Sequence, residues 1–172
     1  MENTDLKLTN VRISYPELFK AKSNPNYPES VAKYSATFIL DKVAHKEEIK
    51  QIDFIIDELC KENKSKREKI ADKFMCFLDG DETNKEELQG KMYLKSSNKN
   101  RPKVVDKKRN PITAEDEIIY PGCFVYAHVS FWGYDGGVSC NLDGVQFSKD
   151  GERFGGSGKT LEFDDLEEDF GF

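Results

Sequence analysis

The sequence predicts a mostly-β, or small α+β, domain with one substantial helix. Apolar and polar residues alternate with the period of a strand at 6–15, at 34–40 and, most clearly, at 123–132. Only the stretch from Val43 to Glu62 places apolar residues at a convincing helical spacing, with charged residues between them. With 172 residues, of which 37% are hydrophobic, the chain is long enough for one domain with a modest core.

The predicted elements follow one another in an order that suits a small barrel. The first strand changes phase near Asn10, which predicts a β-bulge that bends it. Asp41 is the expected N-cap of the helix, a short second helix is predicted over 66–74, and 79–87 is an exposed acidic loop. Further strands are predicted at 92–94, 104–105, 123–132 and 138–147, the last two forming a hairpin around a turn at 133–137. We therefore expect a five-stranded barrel of the OB type with one inserted helix.

The net charge of the chain resides in its last residues. The formal net charge is -6, and residues 161–172 contain six acids and no base, so that residues 1–160 are neutral. Residues 155–158, Gly-Gly-Ser-Gly, are typical of a flexible linker. We therefore expect a folded domain over 1–154, and a linker with a disordered acidic C-terminal tail over 155–172.

Several function classes lack the residues that they need. The four cysteines are not at Cys-x-x-Cys spacing and are expected to be buried and reduced; they are Cys60, Cys76, Cys123 and Cys140. Only His45 and His128 are available for a zinc site or a nucleophilic triad, so we expect no metal and no cofactor, and little room is left for Ser-His or Cys-His catalysis. The chain has no apolar run that suits a membrane span and no secretory signal, which favours the cytoplasm.

A basic segment at 91–109 indicates a polyanion as the partner. Its net charge is +7 within an otherwise neutral body, and such a concentration of charge attracts phosphates. The alternative interpretation is a solvated loop rich in lysine. Its bases are Lys91, Lys95, Lys99, Arg101, Lys103, Lys107, Lys108 and Arg109.

The strand at 123–132 separates an apolar face from an aromatic and polar one. The first face comprises Cys123, Val125, Ala127, Val129 and Phe131, and the second Phe124, Tyr126, His128, Ser130, Trp132 and Tyr134. We predict that Tyr126, Trp132 and Tyr134 stack on unpaired bases. Phe124 and Tyr126 have the alternative of packing beneath the helix. Basic residues together with exposed rings favour single-stranded over double-stranded nucleic acid as the ligand.

Several stretches of the chain resemble a family of phage single-stranded-DNA-binding proteins. They lie at 8–16, 97–112, 120–123, 131–134, 137–142, 145–147 and 150–156, and include the run Arg-Pro-Lys-Val-Val-Asp at 101–106 and Phe-Trp-Gly-Tyr at 131–134. The resemblance implies an OB fold that binds single-stranded DNA, without sequence specificity or catalysis, in phage DNA replication or recombination. It also implies residence in the cytoplasm of a bacterial host.

The tail is similar to the acidic tails of such proteins, although it ends in Phe172 without a preceding proline. We expect it to compete with DNA for the basic surface and to bind a polymerase, helicase/primase or recombinase. Its expected partner-binding residues are Asp164, Asp165, Glu167, Glu168, Asp169, Phe170 and Phe172. Whether the protein forms a homo-oligomer is left open by the sequence.

Two other functions stay open at this point. One is a metal-dependent nuclease that uses the carboxylates of Asp106, Asp116 and Glu117. The other is an adaptor whose basic segment binds an acidic protein.

Overall fold

The computed structural model describes residues 3–27 and 29–154. Within them, seven strands form one sheet: β1 (Asp5–Lys22), β2 (Lys33–Asp41), β3 (Phe77–Asp79), β4 (Lys91–Asn98), β5 (Lys103–Val105), β6 (Phe124–Tyr134) and β7 (Gly137–Lys149). The α-helix of these residues, α1 (Lys46–Glu62), follows β2. Short 3-10 turns occur at Arg67–Lys69, Asp72–Phe74, Gly80–Glu82, Glu86–Leu88 and Ala114–Asp116.

Five of the strands close into a barrel. The sheet order is β3-β4-β2-β1-β6-β7-β5, and a further pairing of β4 with β7 joins the two sides. Around the barrel the strands therefore follow the order β1-β2-β4-β7-β6. The β4–β7 pair is parallel and is made where Ser97 lies opposite Asn141, whereas the other neighbours are antiparallel. This is a partly open Greek-key barrel, and the predicted OB-type fold with one inserted helix is confirmed.

Bulges allow β1 to serve two neighbours. Its first half pairs with β6, and the register shifts between Leu8 and Val11. Asn10, within that shift, has a φ of 52°, so the predicted bulge is confirmed. A second shift lies between Ser14 and Glu17, where β1 pairs with β2 and Tyr15 has a φ of 49°. The strand bends at these points and so continues from one side of the barrel to the other.

The helix packs its apolar stripe into the barrel core. Ile52, Ile56 and Leu59 are buried in the same cluster as the inward residues of the strands. Gly133 of β6 lies so close to the helix that a Cβ there would be 3.1 Å from the Cβ of Leu59. The four cysteines are all buried and free, as the sequence predicted.

The helix begins later than the sequence predicted. It begins at Lys46 rather than Val43, because residues 42–45 form a turn. The carboxylate of Asp41 accepts hydrogen bonds from the backbone N–H groups of Val43 and Ala44, both at 2.9 Å. Asp41 therefore caps this turn and is not the N-cap of the helix.

The predicted second helix at 66–74 is wrong. Two 3-10 turns take its place, and Ile70 and Ala71 between them have extended backbone. Arg67 forms ion pairs with Asp53 and Asp57 of α1, at 2.8 and 3.0 Å, which fix the segment against the helix. Residues 79–87 form the expected loop, except that Asp79 ends β3.

Candidate nucleic-acid interface

The outer face of β2 and β4 is polar and aromatic. Thr37 of β2 lies opposite Lys95 of β4, and Ile39 lies opposite Tyr93. These residues alternate with buried ones, among them Phe38 and Leu94, and therefore point away from the core. In OB folds, the face of the second and third barrel strands binds oligonucleotides, and β4 is the third strand of this barrel.

A cavity of about 260 Å³ lies on this face, and we call it the Tyr15 cavity. Loop 80–90 covers part of it, so that Ile39 is only 3% exposed despite its outward position. The ring of Tyr15 is 65% exposed, and the ammonium of Lys85 lies 5.4 Å from its centroid. The cavity is lined by Ser14, Tyr15, Thr37, Ile39, Thr83, Lys85, Glu87, Leu88, Tyr93 and Lys95.

A second cavity, of about 250 Å³, lies at the junction of β4 and β7, and we call it the β4–β7 notch. Before Ser97 the two strands separate, and the residues that lead into β3 pass between them. Lys95 donates its backbone N–H to the carbonyl of Cys76 at 2.7 Å, and Met75 bridges to Val138 of β7. The notch is lined by Lys73, Phe74, Met75, Cys76, Lys95, Ser96, Ser97, Val138, Ser139 and Cys140.

Lys95 lines both cavities. Its Nζ donates a hydrogen bond to the carbonyl of Asp72 at 3.0 Å. Burial lowers the pKa of this ammonium from its ordinary value. Because an ammonium carries three protons, Lys95 retains donors for a ligand in either cavity.

Trp132 and Tyr134 form an aromatic pair at the β6–β7 hairpin. Trp132 is 48% exposed, and the two ring centroids are 5.1 Å apart at an angle of 41°. A Cβ at Gly137 would lie 2.4 Å from the ring of Tyr134, so only glycine permits this packing. Trp132 lies opposite Ser139, which lines the notch. The aromatic pair is therefore adjacent to the notch.

The basic residues of 91–109 occupy different environments. Lys91 pairs with Asp41 at 2.8 Å, and Arg101 donates to the carbonyl of Phe19 at 2.8 Å. Lys99 is exposed in the loop after β4, and Lys103 is exposed on β5 opposite Gly144. The segment is thus not one continuous patch.

Three bases project from a turn at 106–110, which we call the basic turn. Lys107, Lys108 and Arg109 are all exposed there. The carboxylate of Asp106 accepts the backbone N–H groups of Lys108 and Asn110, at 2.8 and 2.9 Å, and these bonds lower the pKa of Asp106, that from Asn110 most. The turn follows β5, which pairs with β7 as far as Gln146.

The faces of β6 agree with the predicted alternation. Val125, Ala127, Val129 and Phe131 are buried, whereas Trp132 and His128 are exposed. Tyr126 is half-buried, and the ammonium of Lys7 lies 5.1 Å from its centroid. Phe124 contacts the cations of Arg12 and Lys149 in the same way.

The chain matches the family model described as "Enterobacter phage Enc34, ssDNA-binding protein" over residues 4–171. The chain belongs to this family. It is similar to the putative protein p50 of Acyrthosiphon pisum secondary endosymbiont phage 1, with 41% identity over an alignment of 175 positions that covers 94% of this chain and 93% of that protein.

Solved structures of phage proteins share the fold. The single-stranded DNA-binding protein from bacteriophage Enc34 in complex with ssDNA has a TM-score of 0.78 and 30% identity, and the match covers 90% of this chain and 91% of that one. The protein gp2.5 of bacteriophage T7 has a TM-score of 0.52 and 15% identity, over 95% of this chain and 100% of that one, and is similar in fold alone.

Within this family member, the structure adds three rings to the candidate interface. Tyr15 and Tyr93 line one cavity, and Phe74, 46% exposed, lines the other. Tyr93 could have been found from the sequence, because it alternates with the inward Leu94 in a strand. Phe74 could not, because its segment was expected to be helical.

The last described residues are fixed to the barrel by Arg12. Its guanidinium stacks on Phe154, 4.0 Å from the centroid, and donates to the carbonyls of Gly122 and Glu152. Arg12 lies opposite Ile39 in the β1–β2 ladder. The predicted linker and the partner-binding tail residues lie outside the described residues.

Two of the three carboxylates that suggested a nuclease have structural partners. Asp106 fixes the basic turn, and Asp116 accepts from the N–H of Thr113 at 2.8 Å. Glu117 is exposed at the end of the same 3-10 turn. No group of three or more acids, histidines or cysteines in residues 3–27 and 29–154 could hold a metal ion. Over the same residues, no helix is both long and apolar enough to cross a membrane.

Proposed function

We propose that this protein binds single-stranded DNA along a path from the Tyr15 cavity, past Lys95 and the β4–β7 notch, to Trp132 and Tyr134. Bases stack on the exposed rings along this path, and Lys95 donates hydrogen bonds from its middle. Such contacts suit any unpaired strand, so binding is nearly independent of sequence. Its role is in phage DNA replication or recombination, and it is not an enzyme.

The position of Lys95 carries this proposal. Its half-buried ammonium lies between two cavities, each with an exposed aromatic ring in its wall. This combination of cation and rings occurs on the face that OB folds use for oligonucleotides. A duplex keeps its bases paired and cannot offer them to the rings, so the arrangement favours single strands.

The proposal is tested with single- and double-stranded oligonucleotides of equal length in a gel-shift series. We expect single strands to bind tightly and duplexes weakly, with no loss of DNA when Mg²⁺ is present. Equal binding of both forms would contradict the proposal. Competition by heparin without any preference for single strands would support the adaptor instead, and magnesium-dependent degradation would support the nuclease.

We further propose that the acidic tail competes with DNA and recruits a replication protein. Residues 161–172 carry six acids and no base. Phe154, which precedes the linker, packs on the guanidinium of Arg12, and Arg12 lies opposite Ile39, which lines the Tyr15 cavity. A random coil of 17 residues, the number that follow Gly155, would span ~23 Å on average. A tethered anion at that range competes at high effective concentration.

Deletion of residues 161–172 tests the competition. We expect the affinity for oligo-dT to rise by roughly two- to tenfold at low salt, and the gain to shrink as salt screens the tail. The variant Phe172→Ala should keep the affinity for DNA but lose the polymerase, helicase/primase or recombinase from a pull-down with purified proteins. Weaker DNA binding after the deletion would show that the tail supports the interface instead.

A further inference from the structure

We propose that the β4–β7 notch accepts a single nucleobase and favours bases that carry a ring carbonyl: thymine, cytosine and guanine. The inference rests on the proposed function and assigns one subsite within it. It implies that binding is not wholly uniform, because adenine has no carbonyl to offer.

The size and walls of the notch suit one flat ring. Its volume of about 250 Å³ lies below the ~300–1,000 Å³ of pockets for drug-sized ligands. Phe74 provides an exposed ring at the rim, and the buried residues Cys76, Val138 and Cys140 line it with apolar surface. A base that enters the notch can therefore stack on Phe74 and cover apolar groups at the same time.

The polar groups in the notch are mainly donors. The ammonium of Lys95 uses one proton on the carbonyl of Asp72 and has two others. Ser97 and Ser139 are partly exposed at the rim, and their hydroxyls can donate or accept. An ammonium donates more strongly to a carbonyl oxygen than to the ring nitrogens that are the acceptors of adenine, so Lys95 favours thymine, cytosine and guanine over adenine.

A phosphate would be a poorer occupant. It would have to lose its water shell in a partly apolar site, and it has no flat ring to stack on Phe74. The ammonium of Lys73 lies 5.2 Å from the centroid of Phe74 and is exposed beside the notch. It is therefore suited to the phosphate that joins the inserted base to its neighbour.

The neighbouring base has a platform at the correct place. Ser139 lies opposite Trp132, and facing residues of an antiparallel pair have Cβ atoms about 5 Å apart. A strand with one base in the notch can thus place the next base on Trp132. The notch fixes the position of the strand, and the exposed ring tolerates any base.

The experiment compares the affinities of the full-length protein for oligo-dT and oligo-dA at one salt concentration. We expect oligo-dT to bind more tightly by roughly three- to tenfold, which corresponds to the typical net effect of one hydrogen bond. Lys95→Met keeps an unbranched side chain of similar size without the charge, and it should lower the ratio severalfold. Lys103→Met is the matched control, because Lys103 is an exposed base of the same segment outside the notch, and it should keep the ratio.

Photo-crosslinking locates the base independently of the ratio. An oligonucleotide that contains 5-iodouracil should crosslink to the peptide that contains Phe74, and Phe74→Leu should lose that product while its crosslink at Trp132 persists. DNA binding with an unchanged ratio in Lys95→Met, or with crosslinks only outside the notch, would overturn the inference and leave the proposed function intact. Failure of the unaltered protein to bind either oligonucleotide would overturn both.

Discussion

Two parts of the same basic segment have opposite environments. On β4, Lys91 and Lys95 are half-buried and hydrogen-bonded to fixed partners. In the basic turn, Lys107, Lys108 and Arg109 are exposed, and the backbone beneath them is fixed by Asp106. In the sequence, both parts are rich in basic residues and cannot be distinguished. Position in the barrel determines whether a basic residue acts through a directed hydrogen bond or through long-range electrostatic attraction.

The two parts are also far apart along β7. Ser139 marks the level of Trp132 and the notch, and Gln146 marks the end of the β5 pairing that precedes the basic turn. Seven residues of strand span about 23 Å. This exceeds the Debye length of ~8 Å at physiological ionic strength. A short DNA strand bound at Trp132 is therefore not attracted by the charges of the basic turn. Only a longer strand contacts both.

The largest effect is expected at the aromatic end. Trp132→Ala should cost ~1–3 kcal/mol of binding free energy, since an exposed ring loses a stacked base. The loss should depend little on salt, because stacking does not release counterions. As the chain has one tryptophan, its emission reports binding directly, and oligo-dT should quench it saturably. Unchanged emission at saturating DNA would mean that no base reaches Trp132, and Tyr134→Ala tests the second ring in the same assay.

A smaller effect is expected at the basic turn. Replacement of Lys107, Lys108 and Arg109 by Ala should weaken binding of a strand of about 20 nucleotides by roughly three- to tenfold. The slope of log K against log salt should become shallower by ~2, from ~0.7 for each lost phosphate contact. A strand of about 5 nucleotides should bind as before. Fluorescence titrations over a salt series measure both quantities.

The matched control for the basic turn removes three exposed bases elsewhere, Lys46, Lys50 and Lys61 of α1. It should leave the slope unchanged. Equal effects of the two triple variants would mean that only net charge matters, and the contrast between the two parts of the segment would fail.

The smallest effect on DNA binding is expected at Lys91, whose ion pair with Asp41 stabilises the fold. Its hydrogen bond is the main cause that holds the pKa of Asp41 below its usual range. A carboxylate with a lowered folded pKa stabilises the fold above its unfolded pKa of ~3.9, and this stability is lost as the pH falls further. Because the pair is partly exposed, its contribution is at most about 1 kcal/mol.

Lys91→Met should therefore unfold at lower urea concentration at pH 7. Its stability should also decline less than that of the unaltered protein between pH 5 and pH 3, since Asp41 then titrates closer to its unfolded pKa. DNA affinity should change by less than about twofold. Unfolding curves at the three pH values and one DNA titration test this, and a large loss of affinity would assign Lys91 to the interface after all.

Much of the fold was predictable from local pattern. The alternation from Val125 to Phe131 determined which face of β6 is buried, and the phase change at Asn10 located a bulge. The helix start at 43 and the helix at 66–74 were wrong, because polar contacts override a weak periodicity. Asp41 caps a turn before the helix, and Arg67 ties its segment to α1.

The candidate site was predictable only in part. Trp132 and Tyr134 follow from their place at the end of an alternating strand, and their exposure needs no long-range information. Lys95 was one of eight basic residues in its segment, and its neighbours in the sequence did not distinguish it from the others. Its role as the lysine of two cavities depends on three chain segments, around Phe74, Lys95 and Ser139, that meet only when the barrel closes.

The sequence by itself determined the elements of this protein, the polarity of its strand faces and the concentration of acids at its end, because each depends on neighbouring residues and their period. The tertiary structure decided which basic residues form ion pairs or hydrogen bonds, which rings face a cavity and where the β4–β7 notch lies. The position of the notch arises from the parallel pairing of β4 with β7 at Ser97 and Asn141, between strands that are distant in the chain. No local pattern encodes that contact, since it forms through closure of the whole barrel.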